Sequence, residues 1–570
     1  MNSKRTPAPL PIGKPLFDNV IESGCYYVDK TLLVKELLDR EPGVTLYTRP
    51  RRFGKTLAQT MLKCFFEDTA PVGGKDTRAL FNGLKIENAG GRYMEHQGRY
   101  PVIFLSFKEA KGASFDESYA QLTGDIAGEF RRHHYVFEKI ANNEDKALFE
   151  TLASGKGTRE NYPLSLRFLC ECLENYHGQK VIILIDEYDT PLVNSCFHGF
   201  YDEQVNFIRP LLGDALKDNP HLQFAVLAGC LPISRESIFT GFDNLEIISV
   251  LTSQYSGYFG FTQDEMDAML KHYGLASKAQ VVRDWYDGYL FGDTQVYNPW
   301  SSILVVSGWL AYINETPKPY WANTSANDII REFVHAADGE TRAEIEILMS
   351  GGTISKTIHE YITCGETYRD SKNLWNALLF AGYLKKTGGG RQGEGGKLTL
   401  DLSVPNREIR YIYAAKIHER FKNRISEKNL DALFDAILNG NVKIFKTELE
   451  ALLSESIIHA DSAENFYHGF MTGILSRLNG YLIKSNRETG KGRSDLVMYG
   501  IDKKTGKAVV FEFRVTPKYH ELPAACAEAL SEIENSGCAA HWNGEGYSGV
   551  MKYGIGFCGK NCEIRNGDVL

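Results

Sequence analysis

One short run narrows what this chain can fold into more than any other. Val44–Thr48 (VTLYT) is apolar enough for a strand covered on both faces. It passes without a spacer into RPRRFGKT, Arg49–Thr56, and then into a segment where Leu57, Met61 and Phe65 share one helical face. Strand, loop ending Gly-Lys-Thr, and helix is the order that a phosphate-cradling loop requires. Gly54 lets the backbone approach phosphate oxygens, and the helix N-terminus offers free N–H groups and partial positive charge. Lys55 would reach the terminal phosphates, and the Thr56 hydroxyl would bind Mg²⁺. Arg49 stands where the usual first glycine would be, five positions before Gly54. Taken alone, GKT is common, and a basic surface turn is the competing reading.

A second run changes that balance. Val181–Ile185 (VIILI) ends in Asp186-Glu187-Tyr188-Asp189. A β-branched strand that delivers acids at its carboxyl edge suits Mg²⁺ held through water by Asp186 and an attacking water oriented by Glu187. A solvated acidic turn is the bland alternative. Val102–Phe107 and Phe224–Ala228 are further continuous apolar runs, and Leu164, Phe168 and Cys172 share a helical face before the third strand. Strands alternating with helices predict an α/β fold: a P-loop NTPase parallel sheet sandwiched by helices, with its site at the carboxyl ends of neighbouring strands. The fourth strand leads through Gly229 to ISRESIF. There Arg235 would supply positive charge to the γ-phosphate, in cis or to a neighbouring subunit; capping a helix or lying on the surface explains it equally well.

The 570 residues suggest about three to four domains. The expected division is 1–250 for the nucleotide domain, 251–450 for a helical middle region, and 451–570 for a final α/β domain. In the middle region a winged helix ending in the glycine-rich hairpin Thr387–Lys397 is one option. With 64 Lys+Arg against 72 Asp+Glu, the chain is no polycation, so any nucleic-acid site is a local patch. The longest apolar stretch, Ile303–Ile313, is short of the roughly 20 residues that span a bilayer, so no membrane partner is expected. The opening residues lack an apolar signal region, and 11 scattered cysteines fit a reduced, cytoplasmic protein.

The tail reads as helix, three strands, helix, strand. Phe466, Phe470, Ile474 and Leu478 lie at helical spacing. The strand-like runs Tyr481–Ser485, Asp495–Tyr499 and Ala508–Val515 follow, then a helix at Leu522–Ile533 and a strand at Tyr553–Cys558. Asp495 and Glu512 fall on neighbouring strands, and alternation puts Glu512 and Arg514 on one face. Two carboxylates and a cation there could bind Mg²⁺ and act on a phosphodiester, with Glu464 and Glu488 as further acids. Arginine cannot serve as a general base, though it can stabilise developing charge. A surface hairpin with a Glu/Arg pair is the alternative. From Glu455 onward there are 13 Lys+Arg and 14 Asp+Glu, so DNA or RNA would need a focused patch such as Arg487, Lys491, Arg493 and Lys518. Cys538, His541, Cys558 and Cys562 match no familiar zinc spacing and read as free thiols. The aromatics WYDGY and YNPW could stack a base, but packing is the better account.

Together these strings resemble a known family. YYVDKTLLVKELL, TRPRRFGKTL, LIDEYDTPL, GFDNLE, YFGFT, WYDGY, YNPW and YWANTS resemble the predicted AAA-ATPase-like family, whose loop also reads RPRRFGK. ENFYHGF, GRSDLVMYG, VVFEFRV and KYGIGFCGK resemble the PD-(D/E)XK nuclease-superfamily domain usually fused to it. The resemblance implies a restriction-endonuclease-like fold for the tail and a bacterial protein with mobile or defence-type roles. It implies an ATP site on Arg49, Pro50, Arg51, Arg52, Phe53, Gly54, Lys55, Thr56 and Leu57, with Asp186 and Glu187. It also implies a metal site at Asp495 and Glu512, with position 514 as the signature cation. Members usually carry lysine there, so Arg514 bears on cleavage and not on fold.

The expectation is an ATPase, with ATP and Mg²⁺ at the loop, coupled to a nuclease-like domain acting on nucleic acid. Its rival is a nucleotide-dependent switch whose tail is a silent scaffold for DNA or protein. A phosphotransferase is a third reading, for which no acceptor site stands out. Oligomerisation is open in each.

Overall fold

In the computed structural model the four apolar runs are strands of one parallel sheet. They are β1 (Val44–Thr48), β2 (Val102–Ser106), β3 (Val181–Asp186) and β4 (Leu222–Gly229), joined by a fifth, β5 (Leu245–Ile248). The structure describes residues 7–233, 238–239, 241–322, 330, 339–360, 371–388, 390–392, 398–427, 430–454, 463–485, 495–536 and 538–567. The strand order is β2-β3-β4-β1-β5, and every pairing is parallel. β1 and β3 are buried along their whole length, as strands covered on both faces must be. The fold is thus the P-loop NTPase type expected. One particular differs: β1 and β3 are not neighbours, because β4 lies between them. β5 is four residues long and sits among turn residues, too short to give a periodic signal.

The sheet edge at β2 leaves backbone groups without strand partners. The helix Phe115–Arg132 and the residue after it cover them. Glu129 accepts the Phe104 N–H at 2.9 Å, and Arg132 and His133 both reach the Val102 carbonyl. An open edge is thereby closed to pairing with another chain.

The chain divides into two compact units, Met1–Phe333 with Thr353–Ile412, and Val334–Gly352 with Tyr413–Leu570. Much of 251–450 thus packs in the unit that holds the parallel sheet. There β6 (Tyr289–Phe291) and β7 (Thr294–Val296) form a hairpin. A small antiparallel sheet joins β8 (Ile354–Ile358), β9 (Lys385–Lys386), β10 (Arg391–Gln392) and β11 (Leu398–Ser403). Leu402 pairs with Lys386 and Thr399 with Arg391, so the described flanks of the glycine-rich run are hairpin strands. No helix among the described residues is long and apolar enough to cross a membrane.

The second unit carries β12 (Tyr481–Ser485), β13 (Leu496–Gly500), β14 (Ala508–Val515), β15 (Val550–Cys558) and β16 (Asn561–Asn566), in that spatial order. Only β14 and β15 pair in parallel. β16 extends the expected tail by one strand. One face, with Leu496, Met498, Val509, Phe511 and Phe513, joins the larger core with Tyr467, Phe470 and Ile474 of the helix Ala463–Leu475. The opposite face carries Glu512 and Arg514 and meets the helix Leu522–Asn535. That contact is backbone-close: a Cβ on Gly554 would stand 2.5 Å from the Leu530 nitrogen and 2.6 Å from the Cys526 oxygen. Gly554→Ala is therefore expected to destabilise the protein by about 2–3 kcal/mol or more through overpacking. Urea unfolding followed by circular dichroism measures it, and an unchanged midpoint would contradict the packing.

Candidate functional site

The loop after β1 is held by what lies beneath it. Phe53 is buried edge-on against Tyr289, with ring centroids 4.9 Å apart, and packs on Phe291 at 5.1 Å. Arg52 takes a left-handed φ of 70°, unusual for a side-chain-bearing residue, and its guanidinium lies 4.3 Å over Trp300. Gly54 has φ 87° with nothing within 4 Å of a would-be Cβ, so the conformation and not the space demands glycine. The helix Lys55–Phe66 starts immediately after it. Gln59, one turn on, donates to the Val226 carbonyl at 3.2 Å and ties this helix to β4.

Arg49, expected among the ATP-site residues, has its side chain in the core. It is fully buried, with its guanidinium over Phe259 and Phe291 at 5.4 and 5.0 Å. Nη1 donates to the carbonyls of Thr48 at 3.0 Å and Ile248 at 2.9 Å, pinning the end of β1 to the end of β5. Nε and Nη2 have no hydrogen-bond partner, and burial pushes its pKa down to about 9. Only the Arg49 carbonyl faces the loop interior. Pro50 and Phe53 likewise turn their side chains to packing: a Cβ on Gly382 would meet the Pro50 ring at 2.8 Å. Leu57 is half-buried on the helix.

Lys55, Thr56, Asp186 and Glu187 do converge. Lys55 is 5% exposed, and its Nζ donates to the carbonyls of Arg49 at 2.9 Å and Pro50 at 3.1 Å, with the Cys230 Sγ at 3.4 Å. The Thr56 hydroxyl donates to Asp186 Oδ2 at 2.6 Å. Asp186 Oδ1 is buried with no hydrogen-bond partner. Glu187 has φ 55°, and its Oε2 accepts the Thr190 hydroxyl at 2.8 Å. Arg51 lies in the electrostatic reach of Cys230, Glu187 and Asp189. Arg235 lies outside the described residues.

The two adjacent acids have opposite electrostatics. Burial, opposed by the Thr56 hydroxyl and aided by the Glu187 charge, pushes Asp186 up to about 6. Burial also works against Glu187, but Lys55, the Thr190 hydroxyl and Arg51 outweigh it and hold that carboxyl below its ordinary value. Burial pushes the Cys230 thiol up to about 11.

In the second unit Asp495 and Glu512 meet across the neighbouring strands expected to carry them. The Asp495 N–H donates to Glu512 Oε2 at 3.0 Å, and Asp495 Oδ2 accepts the Phe513 N–H at 2.9 Å. Arg514 Nη1 reaches Glu512 Oε1 at 3.4 Å and the Phe513 carbonyl at 2.8 Å, while Nη2 pairs with Glu532 from the facing helix. Burial and the Asp495 charge push Glu512 up to about 7, although Arg514 pulls the other way. Among the described residues no three His, Cys, Asp or Glu gather as metal ligands would. Glu488, Arg487, Lys491, Arg493 and the side chain of Glu464 lie outside those residues. Cys558 is a half-buried free thiol and Cys562 a buried one. Tyr286 and Tyr297 are core side chains, and Trp285 stacks on Tyr411 at 5.8 Å, so these aromatics pack.

Comparison with known proteins matches both halves. Residues 11–239 match the family model described as predicted AAA-ATPase, and residues 462–566 match the PD-(D/E)XK nuclease superfamily. The chain joins a predicted AAA-ATPase domain to a PD-(D/E)XK nuclease-superfamily domain. A relative named as the uncharacterized protein in the vnfD 5′ region of Azotobacter chroococcum mcd 1 is 26% identical over 551 residues, 94% of each chain. The solved structure of the Aeropyrum pernix ORC2 protein in its ADPNP and ADP complexes covers 73% of this chain and 97% of its own, at 9% identity and a loose TM-score of 0.23.

Three residues of the AAA-ATPase domain escaped sequence reasoning. Gly229 and Cys230 end the run FAVLAGC, where the glycine is the one visible signal. Asp189 is the fourth residue of DEYD, and no pattern tells which of the three acids turns inward. In the nuclease-superfamily domain Glu532 is one of many helix glutamates, and only the fold brings it to Arg514.

The raised Asp186 pKa gives a signed expectation. An acid that holds its proton more tightly when folded stabilises the fold below its unfolded pKa, here 3.8, and that contribution is lost as pH rises through about 6. Asp186→Asn keeps the shape and removes the charge. It is expected to raise ligand-free stability near pH 8 by roughly 2–3 kcal/mol and by about half as much near pH 5. Urea titrations at both values measure this, and an equal gain at the two would contradict it.

Proposed function

We propose that the AAA-ATPase domain binds and hydrolyses ATP, and that its nucleotide state governs the nuclease-superfamily domain in acting on nucleic acid. The observation that carries the first part is the Thr56–Asp186 hydrogen bond, with Lys55 and Glu187 beside it. The Thr56 hydroxyl and the unpartnered Asp186 Oδ1 are hard oxygen donors of the kind Mg²⁺ takes. When bound, Mg²⁺ neutralises charge on the phosphate oxygens. Lys55 would exchange the carbonyls of Arg49 and Pro50 for the β- and γ-phosphate oxygens, and N–H groups at the start of its helix would cradle the rest. Glu187, kept ionised beside Lys55, would orient water toward the γ-phosphorus and draw its proton. Lys55→Ala is expected to lower ATP turnover by about two orders of magnitude or more, read as released phosphate. Turnover at the parent rate would remove the site assignment.

Asp495 and Glu512 would hold a divalent ion in the nuclease-superfamily domain, with Arg514 stabilising charge on a phosphodiester. A second reading has its own support. Arg514 is engaged by both Glu512 and Glu532, which favours a silent domain that holds DNA, RNA or protein without cutting. A nuclease assay supplied with Mg²⁺ or Mn²⁺ separates the two. Degradation by the parent that disappears in both Asp495→Ala and Glu512→Ala supports cleavage. If only Arg514→Lys cuts, or nothing does under either metal, the scaffold reading stands.

A further inference from the structure

The acid turn after β3 is fastened to the end of β4 by residues that the nucleotide reading leaves without a role. Asp189 is 3% exposed, and its Oδ2 accepts the N–H groups of both Cys230 and Leu231 at 2.9 Å. The Tyr188 hydroxyl donates to the Leu231 carbonyl at 2.6 Å and accepts the Ile233 N–H at 3.2 Å. The two turns are in direct contact. A Cβ on Gly229 would lie 2.4 Å from the Tyr188 ring and 2.5 Å from Asp189 Oδ1. Cys230, held this way, brings its Sγ to 3.4 Å from Lys55 Nζ. Glu187, next to Tyr188, has a left-handed backbone, a conformation that persists only where its surroundings over-determine it. Four hydrogen bonds from the next two residues supply that constraint.

We propose that Asp189 is a positioning residue of the nucleotide site, which through its acceptor oxygen and not its charge locks the segment after β4 to the acid turn and so sets Glu187 against Lys55. This deepens the ATPase reading and rests on it. Burial and the Glu187 charge push the Asp189 pKa upward, against the Leu231 and Cys230 N–H groups and the Lys55 charge, so the site does not favour negative charge there. The two N–H groups require an oxygen, which an amide also provides.

The test uses the full chain with Asp189→Asn, Asp189→Ala and Tyr188→Phe. It reads amide hydrogen exchange at Cys230 and Leu231 alongside steady-state ATP turnover. Asp189→Ala should speed exchange at both amides and lower kcat, each by about tenfold or more, with KM for ATP within about threefold. Asp189→Asn should recover most of both losses. Should Asp189→Ala not fold, Tyr188→Phe should still speed exchange at Ile233 and lower kcat. An Asn variant as impaired as the Ala variant overturns the proposal, because the charge would then be what matters. So does an Ala or Phe variant with unchanged exchange and kcat. A parent without ATP turnover sinks the ATPase reading and not the clamp: protected amides at 230 and 231 that Asp189→Ala exposes uphold the clamp, and amides already unprotected in the parent overturn it.

Discussion

The Thr56 hydroxyl reaches past an entire strand to find Asp186, and the first unit is arranged around that reach. β1 and β3 are each hydrogen-bonded to β4, so their carboxyl ends stand about 10 Å apart, two strand spacings. Only the first turn of the helix Lys55–Phe66, leaning across the end of β4, closes that distance. The residue that ends β4 must then be small, because the acid turn crosses directly above it. Gly229 fills that position, and with any side chain there Tyr188 and Asp189 would have to move. Interposing a strand sets loop and acids two strand spacings apart, and the Thr56–Asp186 hydrogen bond spans that gap.

The same geometry gives two adjacent carboxylates different protonation behaviour. Asp186 is at the strand end, enclosed, with one oxygen on Thr56 and the other without a partner. Glu187 turns out of the strand through a left-handed step into the field of Lys55 and Arg51. One residue of chain therefore separates an acid that resists its charge from one that keeps it. Under the proposed ATPase reading, a cation at Asp186 would have to displace a proton that burial favours below about pH 6, whereas the ionised Glu187 would be ready to polarise water at neutral pH. The division of roles follows from burial and neighbours, since the two side chains differ by only a methylene.

Much of this was legible in the sequence because the responsible signals are local. Four continuous apolar runs marked four strands to within a residue or two at each end, and GKT directly after one of them located the helix start. The nearness of Asp495 and Glu512 followed from their places on neighbouring hairpin strands, and the shared face of Glu512 and Arg514 from period-two alternation. What escaped reading depends on non-local order. No residue pattern states that β4 inserts between β1 and β3. LEII and NCEIRN are too short or too polar to announce β5 and β16. The place of the Arg49 side chain is non-local too: Phe259, Phe291 and the Ile248 carbonyl, all from distant segments, receive it in the core.

The second unit poses its functional question in the same terms of charge and reach. A lysine at position 514 would present a compact ammonium that satisfies one carboxylate at a time. The guanidinium of Arg514 is a fork, and it engages Glu512 on its own strand together with Glu532 on the facing helix. A divalent ion binding at Asp495 and Glu512 must compete with that fork for Glu512, and it must also displace the proton that the raised pKa keeps there near neutrality. Both requirements weaken the free site, and they oppose each other: giving Arg514 up to Glu532 would release Glu512 from the fork but would push its pKa further up. The helix packs on bare backbone at Gly554 and Gly556 and buries Leu522, Cys526, Ala529 and Ile533, which fixes Glu532 beside Arg514. Under the proposed metal site, the competition for Glu512 thus turns on which of two glutamates keeps the arginine.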